Sequence, residues 1–267
     1  MLLSRIIRNC SPSLRSLATF SKDNNKFYKE VDVITTDAGY QVTLDNKSNV
    51  KTPLRNLLVL PTEALANAVA VEWDLQRDSI IFALMPLTTL CFKATDKPHE
   101  GAALVEHMTE FLRTDTVCYR AGPKEDQQLH SLEKSRWNPL TDWFSEHYHV
   151  HLALTTDIML TPQPEQTIST IRSHLLKQHP WTLPAYHHST TSLKSLVISM
   201  AMLDGGLSAE EAIACAYLES DYQMDRWGEV EWGHTIDKAR QSADVAAAVL
   251  LVNEIRSLDG GRLQAWS

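Results

Sequence analysis

The stretch FYKEVDVITTDAGYQVTLD, residues 27–45, decides the character of the N-terminal part of the fold. Apolar and polar residues alternate on both sides of Asp37, Ala38 and Gly39, which is typical of two strands joined by a turn. Residues 50–52 and 57–60 indicate further short strands, and Pro53 separates them. The sequence therefore predicts a small β-sheet at the start of the fold.

Downstream of this stretch, apolar residues recur at spacings of three and four, which predicts helices. Pro61 opens the first helix, whose buried stripe includes Leu65 and Trp73, and Pro86 and Pro98 open two more. Further helices are predicted at 137–148, 165–179, 185–203, 208–219 and 233–258, and short strands at 116–119 and 149–155. These patterns indicate the α+β class.

Gly122 and Pro123 mark a boundary, because the chain is mostly helical after them. We predict an N-terminal α+β domain with a small β-sheet over residues 23–122 and a mainly α-helical domain over 123–267. Ser208 and Glu211 match a capping box at the start of one C-terminal helix.

The charge of the chain is unevenly distributed. The formal net charge is −8, yet residues 1–22 contain four cations and no acid, so removing them leaves a body of −12. A segment rich in Arg and Ser, free of acids and able to form a short amphipathic helix is typical of a mitochondrial or plastid transit peptide, whereas a basic tail without function is the alternative. The acidic body argues against nucleic acid as the main partner.

Three cysteines remain outside this segment, Cys91, Cys118 and Cys215, and none is close to another in the sequence. Their spacing fits neither a zinc ribbon nor a redox pair, so we expect free buried thiols. The chain also lacks the common Gly-rich phosphate-binding motifs and the motifs of serine hydrolases and zinc proteases.

One group of residues suggests a metal site. His147, His149 and His151 alternate, so on a strand their imidazoles would share a face and could bind zinc. This pattern leaves open a metal-dependent hydrolase. The alternative is that the three histidines are partly exposed residues at a junction between a helix and a strand.

Residues 217–238, YLESDYQMDRWGEVEWGHTIDK, interleave carboxylates with large aromatic residues. Such a composition fits either a helix with an aromatic core face and solvated acids or a protein-binding surface. In a binding surface, tryptophan and tyrosine supply contact area and the acids steer a basic partner. We interpret six residues here as partner-binding: Tyr222, Asp225, Trp227, Glu229, Glu231 and Trp232.

Several motifs together resemble one family. They are FYKEVDV (27–33), KTPLRNLLVLPTEALANAVAVEWDLQ (51–76), MPLTTLCFKATD (85–96), TDTVCYRA (114–121), WNPLTDWF (137–144) and YLESDYQMDRWGEVEW (217–232). In this order they resemble the mitochondrial and proteobacterial chaperones that assemble the catalytic head of ATP synthase, specifically the assembly factor that handles its alpha subunit. The likeness extends from about residue 27 to residue 258.

The resemblance implies a non-catalytic, ATP-independent chaperone of the mitochondrial matrix that needs no cofactor. Its partner would be the unassembled alpha subunit of the F1 sector, whose interface it would shield until the beta subunit replaces it. The resemblance implies no nucleic acid, no membrane insertion and no small-molecule substrate.

The motifs carry over most directly at Trp73, for which we expect a structural role, and at Trp227, Glu229 and Glu231. Where family members often have Ile-Glu before the Trp-Gly pair, this chain has Asp225 followed by an arginine, so the acid is retained but is shorter.

Overall fold

A computed structural model describes residues 25–156, 162–228 and 233–258 of the chain. Within these residues the strands are β1 (Val31–Thr36), β2 (Gly39–Leu44) and β3 (Ser48–Asn49). The helices are α1 (Glu63–Asp74), α2 (Pro86–Asp96), α3 (Gly101–Arg113), α4 (Gln127–Tyr148), α5 (Glu165–Leu176), α6 (Leu183–Leu193), α7 (Leu196–Leu203), α8 (Ala209–Trp227) and α9 (Gly233–Leu258). The predicted α+β class, a small sheet followed by many helices, is confirmed. The proposed transit segment lies outside the described residues.

The sheet is an antiparallel meander in the order β1-β2-β3. A two-residue turn joins β1 to β2, so Thr36 pairs with Gly39. Gly39 has a φ of +134°, and a Cβ on it would lie 2.7 Å from the carbonyl oxygen of Leu60, so this position needs glycine. Tyr40 and Leu60 exchange backbone hydrogen bonds of 2.9 and 2.7 Å, which brings the chain back beside β2 before α1 begins.

Helix α1 connects the sheet to the helical part of the fold. It packs against β1 and β2 and also against α9. Thr62 caps α1 by accepting the Leu65 N–H at 3.1 Å, and its hydroxyl donates to Glu254 of α9 at 2.8 Å. One cluster of buried apolar residues extends from β2 to α9. The division into two domains at residues 122 and 123 stays a prediction.

The centre of the helical part is α7, all eight residues of which are buried. It is in contact with α3, α4, α6, α8 and α9. The single helix predicted over 185–203 is in fact two helices, α6 and α7. Lys194 between them is left-handed with a φ of +55°, and the Ser195 side chain caps α7 by accepting the Ile198 N–H at 3.0 Å.

The strand predicted at 116–119 is wrong. Thr116–Cys118 form one 3-10 turn, in which the Asp115 carboxylate accepts the Val117 N–H at 3.3 Å. The same carboxylate accepts the Ser195 hydroxyl at 2.6 Å and the Val197 N–H at 3.0 Å, at the start of α7. A tertiary contact therefore overrides the β propensity of this segment.

The strand predicted at 149–155 is also wrong. His149 is left-handed with a φ of +53° and ends α4. Farther along, the Gln163 side-chain amide replaces a strand partner, because it accepts the Ala153 N–H at 3.0 Å and donates to the Ala153 carbonyl at 2.9 Å. Thr155 makes a single bridge with Tyr119.

Two helices are longer than predicted. Helix α4 begins at Gln127 rather than 137, since Asp126 caps it, and α8 continues to Trp227 rather than to 219. The capping box of Ser208 and Glu211 is confirmed, and Cys91, Cys118 and Cys215 are free and buried as predicted. Among the described residues, none of the helices has the length and apolar composition that crossing a membrane requires.

Candidate partner-binding site

The last turns of α8 carry residues 217–227 of the acidic and aromatic stretch, and Asp126 fixes the position of this helix end. The Tyr222 hydroxyl lies 2.9 Å from both carboxylate oxygens of Asp126, and Arg226 forms an ion pair with the same carboxylate at 2.5 Å. Asp126 also accepts the backbone N–H groups of Gln128 and Leu129 as the N-cap of α4. The C-terminal end of α8 is therefore attached to the beginning of α4.

The protonation states at neutral pH suit this contact. The pKa of Asp126 is below its usual range because the carboxylate accepts the Leu129 N–H and the Tyr222 hydroxyl and faces Arg226, which together outweigh desolvation. The pKa of Tyr222 is raised, first by desolvation and then by its hydrogen bond to Asp126. The carboxylate is therefore ionised and the tyrosine keeps its proton.

Two further contacts hold α8 in place. Near its middle, the Trp137 indole N–H of α4 donates to the Cys215 carbonyl at 3.0 Å in the buried interior. On another side, Lys238 of α9 pairs with Asp221 at 3.0 Å and lies 5.1 Å from the centre of the Tyr217 ring. Contacts with α4 and α9 thus hold the second half of α8, which we call the α8 platform (residues 215–227).

Trp227 is the last residue of this platform. Its side chain is 74% exposed, the highest value among the large apolar side chains that the structure describes. Gly228 follows with a φ of +90° and ends the helix. Asp225, two residues before Trp227, is also exposed. A large aromatic ring on a supported helix end can enter a partner's pocket with little loss of conformational entropy.

The predicted partner-binding residues therefore fall into three groups. Tyr222 is used within the fold as an attachment point, and Asp225 and Trp227 face solvent. Glu229, Glu231 and Trp232 lie outside the described residues. The partner-binding role assigned to all six stays a prediction.

Trp73 lies in the core beneath the sheet, with 5% of its side chain exposed. Its ring packs 5.8 Å from that of Tyr28 and 6.1 Å from that of Phe82. The Tyr28 hydroxyl donates to the Trp73 carbonyl at 2.7 Å, and desolvation, with the charge of Asp74, raises the pKa of Tyr28 to about 12. Trp73 thereby joins α1 to the segment that leads into β1.

Sequence reasoning missed a buried polar cluster around Asp204, which follows α7. Its carboxylate accepts the hydroxyls of Tyr148 and Tyr186 and pairs with the Arg256 guanidinium at 2.6 Å, and His174 lies 3.5 Å away. Burial disfavours the charge, but the hydrogen bonds and Arg256 outweigh it and lower the pKa of Asp204 to about 2. We call these five residues the Asp204 cluster. Its members are far apart in the sequence, so no local pattern reveals it.

The histidines proposed as metal ligands do not share a strand. His147 lies in the last turn of α4 with its ring stacked 4.4 Å from that of Trp143, and His149 is the left-handed residue that ends the helix. The alternating arrangement that would have directed the three imidazoles to one point is therefore lost. Among residues 25–156, 162–228 and 233–258, no group of three or more His, Cys, Asp or Glu side chains could hold a metal ion. The interpretation as a metal-dependent hydrolase is not favoured.

Comparison with known proteins identifies the class. The family model described as ATP12 chaperone protein matches residues 25–145. Protein atp12, mitochondrial, of Schizosaccharomyces pombe is 30% identical over 237 residues, which cover 85% of this chain and 81% of that protein. Protein ATP12, mitochondrial, of Saccharomyces cerevisiae is 22% identical over 261 residues, with 82% and 80% covered.

Solved structures with the same fold belong to similar proteins. Atp12 from Paracoccus denitrificans aligns with a TM-score of 0.75 at 27% identity, covering 86% of this chain and 97% of that one. The Atu1473 protein from Agrobacterium tumefaciens aligns with a TM-score of 0.79 at 29% identity, covering 92% and 91%. The fold and the sequence thus define a chaperone. The chain belongs to the ATP12 chaperone family.

Proposed function

We propose that this chain is an ATP-independent chaperone for the assembly of the F1 sector of mitochondrial ATP synthase. It binds the unassembled alpha subunit, the client, and shields the interface of that subunit until the beta subunit replaces the chaperone. It acts in the mitochondrial matrix. Membership of the ATP12 family and the mitochondrial names of the two fungal relatives support this proposal.

The observation that carries the proposal is the exposed Trp227 on the supported end of α8. Subunit interfaces are apolar in their centres and aggregate when they are left open. A chaperone that covers such an interface needs an aromatic contact that is already in position, because ordering a flexible side chain would reduce the binding free energy. Trp227 meets the part of this requirement that concerns the backbone, because Asp126 holds the end of α8 through Tyr222 and Arg226.

The charge around Trp227 suits transient binding. Asp225 before it and Asp237 in the first turns of α9 are exposed, and the body of the protein carries a formal charge of −12 without residues 1–22. Solvated acids attract a basic partner and accelerate association, but they add little to the lifetime of the complex. A complex with one aromatic anchor and a charged rim is one that the beta subunit can displace.

The test is affinity capture from mitochondria with the full-length protein carrying a C-terminal tag. We expect the alpha subunit to be captured without beta and without assembled F1, and we expect no change on adding ATP. Capture of assembled enzyme alone, or of no F1 subunit, would contradict the proposal.

A matched pair of variants tests the surface. Trp227→Ala removes the exposed ring of α8, and Leu176→Ala removes a 51% exposed side chain at the end of α5. We expect the first to weaken capture of alpha at least about thirtyfold, as for a central interface tryptophan, and the second to leave it unchanged. Equal capture by both variants would show that Trp227 is not the anchor.

A further inference from the structure

Strand β1 forms one edge of the sheet. Its pairing with β2 shows which of its residues direct their main-chain groups toward β2 and which direct them outward. The Glu30 carbonyl accepts the Asp45 N–H at 2.9 Å, and the Asp32 carbonyl accepts the Thr43 hydroxyl at 3.4 Å. The main-chain groups of residues 30, 32, 34 and 36 are therefore directed toward β2. In an antiparallel pair, the groups of the intervening residues point the other way.

Val31, Val33 and Thr35 consequently direct their N–H and C=O groups outward, away from β2. Within the described part of the chain, no other strand pairs with this edge and no hydrogen bond satisfies these groups. The outward row repeats every second residue over the six residues of β1, which is the pattern that a further antiparallel or parallel strand needs.

Folded proteins commonly protect such an edge with lysine, proline or a bulge. Strand β1, VDVITT, contains neither lysine nor proline, and its register with β2 is continuous from Val31 to Thr36. The open edge therefore lacks lysine, proline and a bulge, and Asp32 is the charged side chain within the strand.

The side chains along this edge define the chemistry of what would fit. Glu30, Asp32 and Ile34 alternate with Val31 and Val33, which pack against the core, and all three are exposed, Ile34 by 37%. An added strand would place alternate residues opposite them. Lys or Arg opposite the two carboxylates and an aliphatic residue opposite Ile34 are the favourable cross-strand partners.

We propose that the open edge of β1 binds an extended segment of the client, with basic and aliphatic residues at alternate positions, as an added strand. This inference rests on the proposed function, since the client is the unassembled subunit. Main-chain hydrogen bonds supply the binding and the acidic side chains select the segment, which is how sheet edges recognise extended peptides. Trp227 and this edge are then two separate contacts with one client.

Hydrogen exchange measured on the intact chaperone gives a direct readout. Amides of Val31, Val33 and Thr35 should exchange rapidly in the free protein and at least about tenfold more slowly with purified alpha subunit bound, because each becomes a donor to the added strand. The amides of residues 32 and 34, already bonded to β2, should change much less. Unchanged exchange at the three outward amides would overturn the proposal. Slow exchange in the free chaperone would also overturn it, since the edge would then be filled by a second copy or by residues 1–24.

Two substitutions at one exposed position separate main-chain bonding from side-chain contact. Thr35→Pro removes an outward N–H that β2 does not use, and proline is tolerated at such edge positions. Thr35→Ala removes the same side chain and keeps the N–H. We expect the proline variant to bind alpha about tenfold more weakly than the alanine variant. The difference corresponds to the loss of one main-chain hydrogen bond and of the close approach of the added strand at this position.

Urea unfolding of both variants reports whether the fold is retained, and hydrogen exchange on the wild-type protein remains decisive if the proline variant unfolds. Equal binding of alpha by the two folded variants would refute the edge contact while leaving the proposed function intact. Failure of the wild-type protein to capture any F1 subunit would instead remove the proposed function, and the edge contact with it.

Discussion

Asp126 and Asp204 gather the same kinds of partner in two very different surroundings. Each carboxylate pairs with an arginine and accepts tyrosine hydroxyl groups: Arg226 and Tyr222 for Asp126, Arg256 with two tyrosines for Asp204. The Asp204 side chain is 2% exposed, whereas that of Asp126 is 21% exposed.

Burial decides what each cluster does. In the interior, removal of a partner leaves the Asp204 carboxylate, which is 2% exposed, without compensation for its desolvation, so the Asp204 cluster ties α9 to the centre of the bundle. At the surface, water replaces a lost partner, so the Asp126 contacts mainly orient the end of α8. The same chemistry therefore stabilises the fold in one region and positions a candidate binding surface in the other.

The largest expected effect is that of Asp204→Ala. The substitution leaves the Arg256 guanidinium and two tyrosine hydroxyls without their shared acceptor, and such changes in buried ion pairs cost about 3–5 kcal/mol. Urea unfolding followed by circular dichroism measures the loss. A decrease in unfolding free energy below about 1 kcal/mol would show that the buried cluster does not differ from a surface pair.

The second largest expected effect is the loss of stability of the Asp204 cluster in acid. Its folded pKa of about 2 lies below the ordinary value of 3.8, so its stabilising effect is complete above about pH 4 and is lost as the pH falls toward 2. We expect it to account for roughly 2 kcal/mol of the acid-dependent loss of stability. Urea unfolding between pH 2 and 6 should show a shallower pH dependence for Asp204→Asn than for the wild-type protein. Parallel curves would exclude Asp204 as the titrating group.

Asp126→Ala should have a smaller effect on stability. It removes the N-cap of α4 and the attachment of α8. The side chains of Tyr222 and Arg226, which lose their acceptor, remain accessible to water. We expect its urea midpoint to shift by less than about half of the shift for Asp204→Ala. Capture of alpha should nevertheless weaken, because Trp227 loses its fixed position. Full stability together with full capture would mean that Asp126 does not position the surface.

Trp227→Ala should have the smallest effect on stability, within about 0.5 kcal/mol, because its ring is mostly solvated. Its effect on binding is expected to be large, so the variant separates the two properties most clearly. Thermal unfolding beside client capture checks this. A marked loss of thermal stability would place the ring in the core rather than at a binding surface.

Sequence patterns predicted the sheet and most helices because local periodicity carries those elements. The alternation in β1 and β2, the stripe of Leu65 and Trp73 in α1 and the capping box at Ser208 are all local, and each is confirmed in the structure. The predictions failed where partners came from far away in the sequence. Asp115 turned a predicted strand into a 3-10 turn by contacts with the start of α7, and Gln163 took the place of a strand partner for Ala153.

The candidate site divides in the same way. The composition of residues 217–238 is enough to identify an acidic and aromatic stretch, but composition does not distinguish Tyr222, which attaches α8, from Trp227, which faces solvent. On one helix the two residues differ by five positions, and only the neighbouring α4 decides which ring is covered.

By itself, the sequence determined the family, the arrangement of a small N-terminal sheet followed by many helices, the acidic body and the basic first 22 residues, because these depend on composition and on motifs read along the chain. Tertiary structure alone decided that Asp204 is buried among four partners, that Asp126 supports the end of α8 and that, among the described residues, β2 is the only strand paired with β1. The physical reason is that desolvation and hydrogen bonding depend on neighbours brought together by folding, and the partners of Asp126 and Asp204 lie up to 100 residues away in the chain.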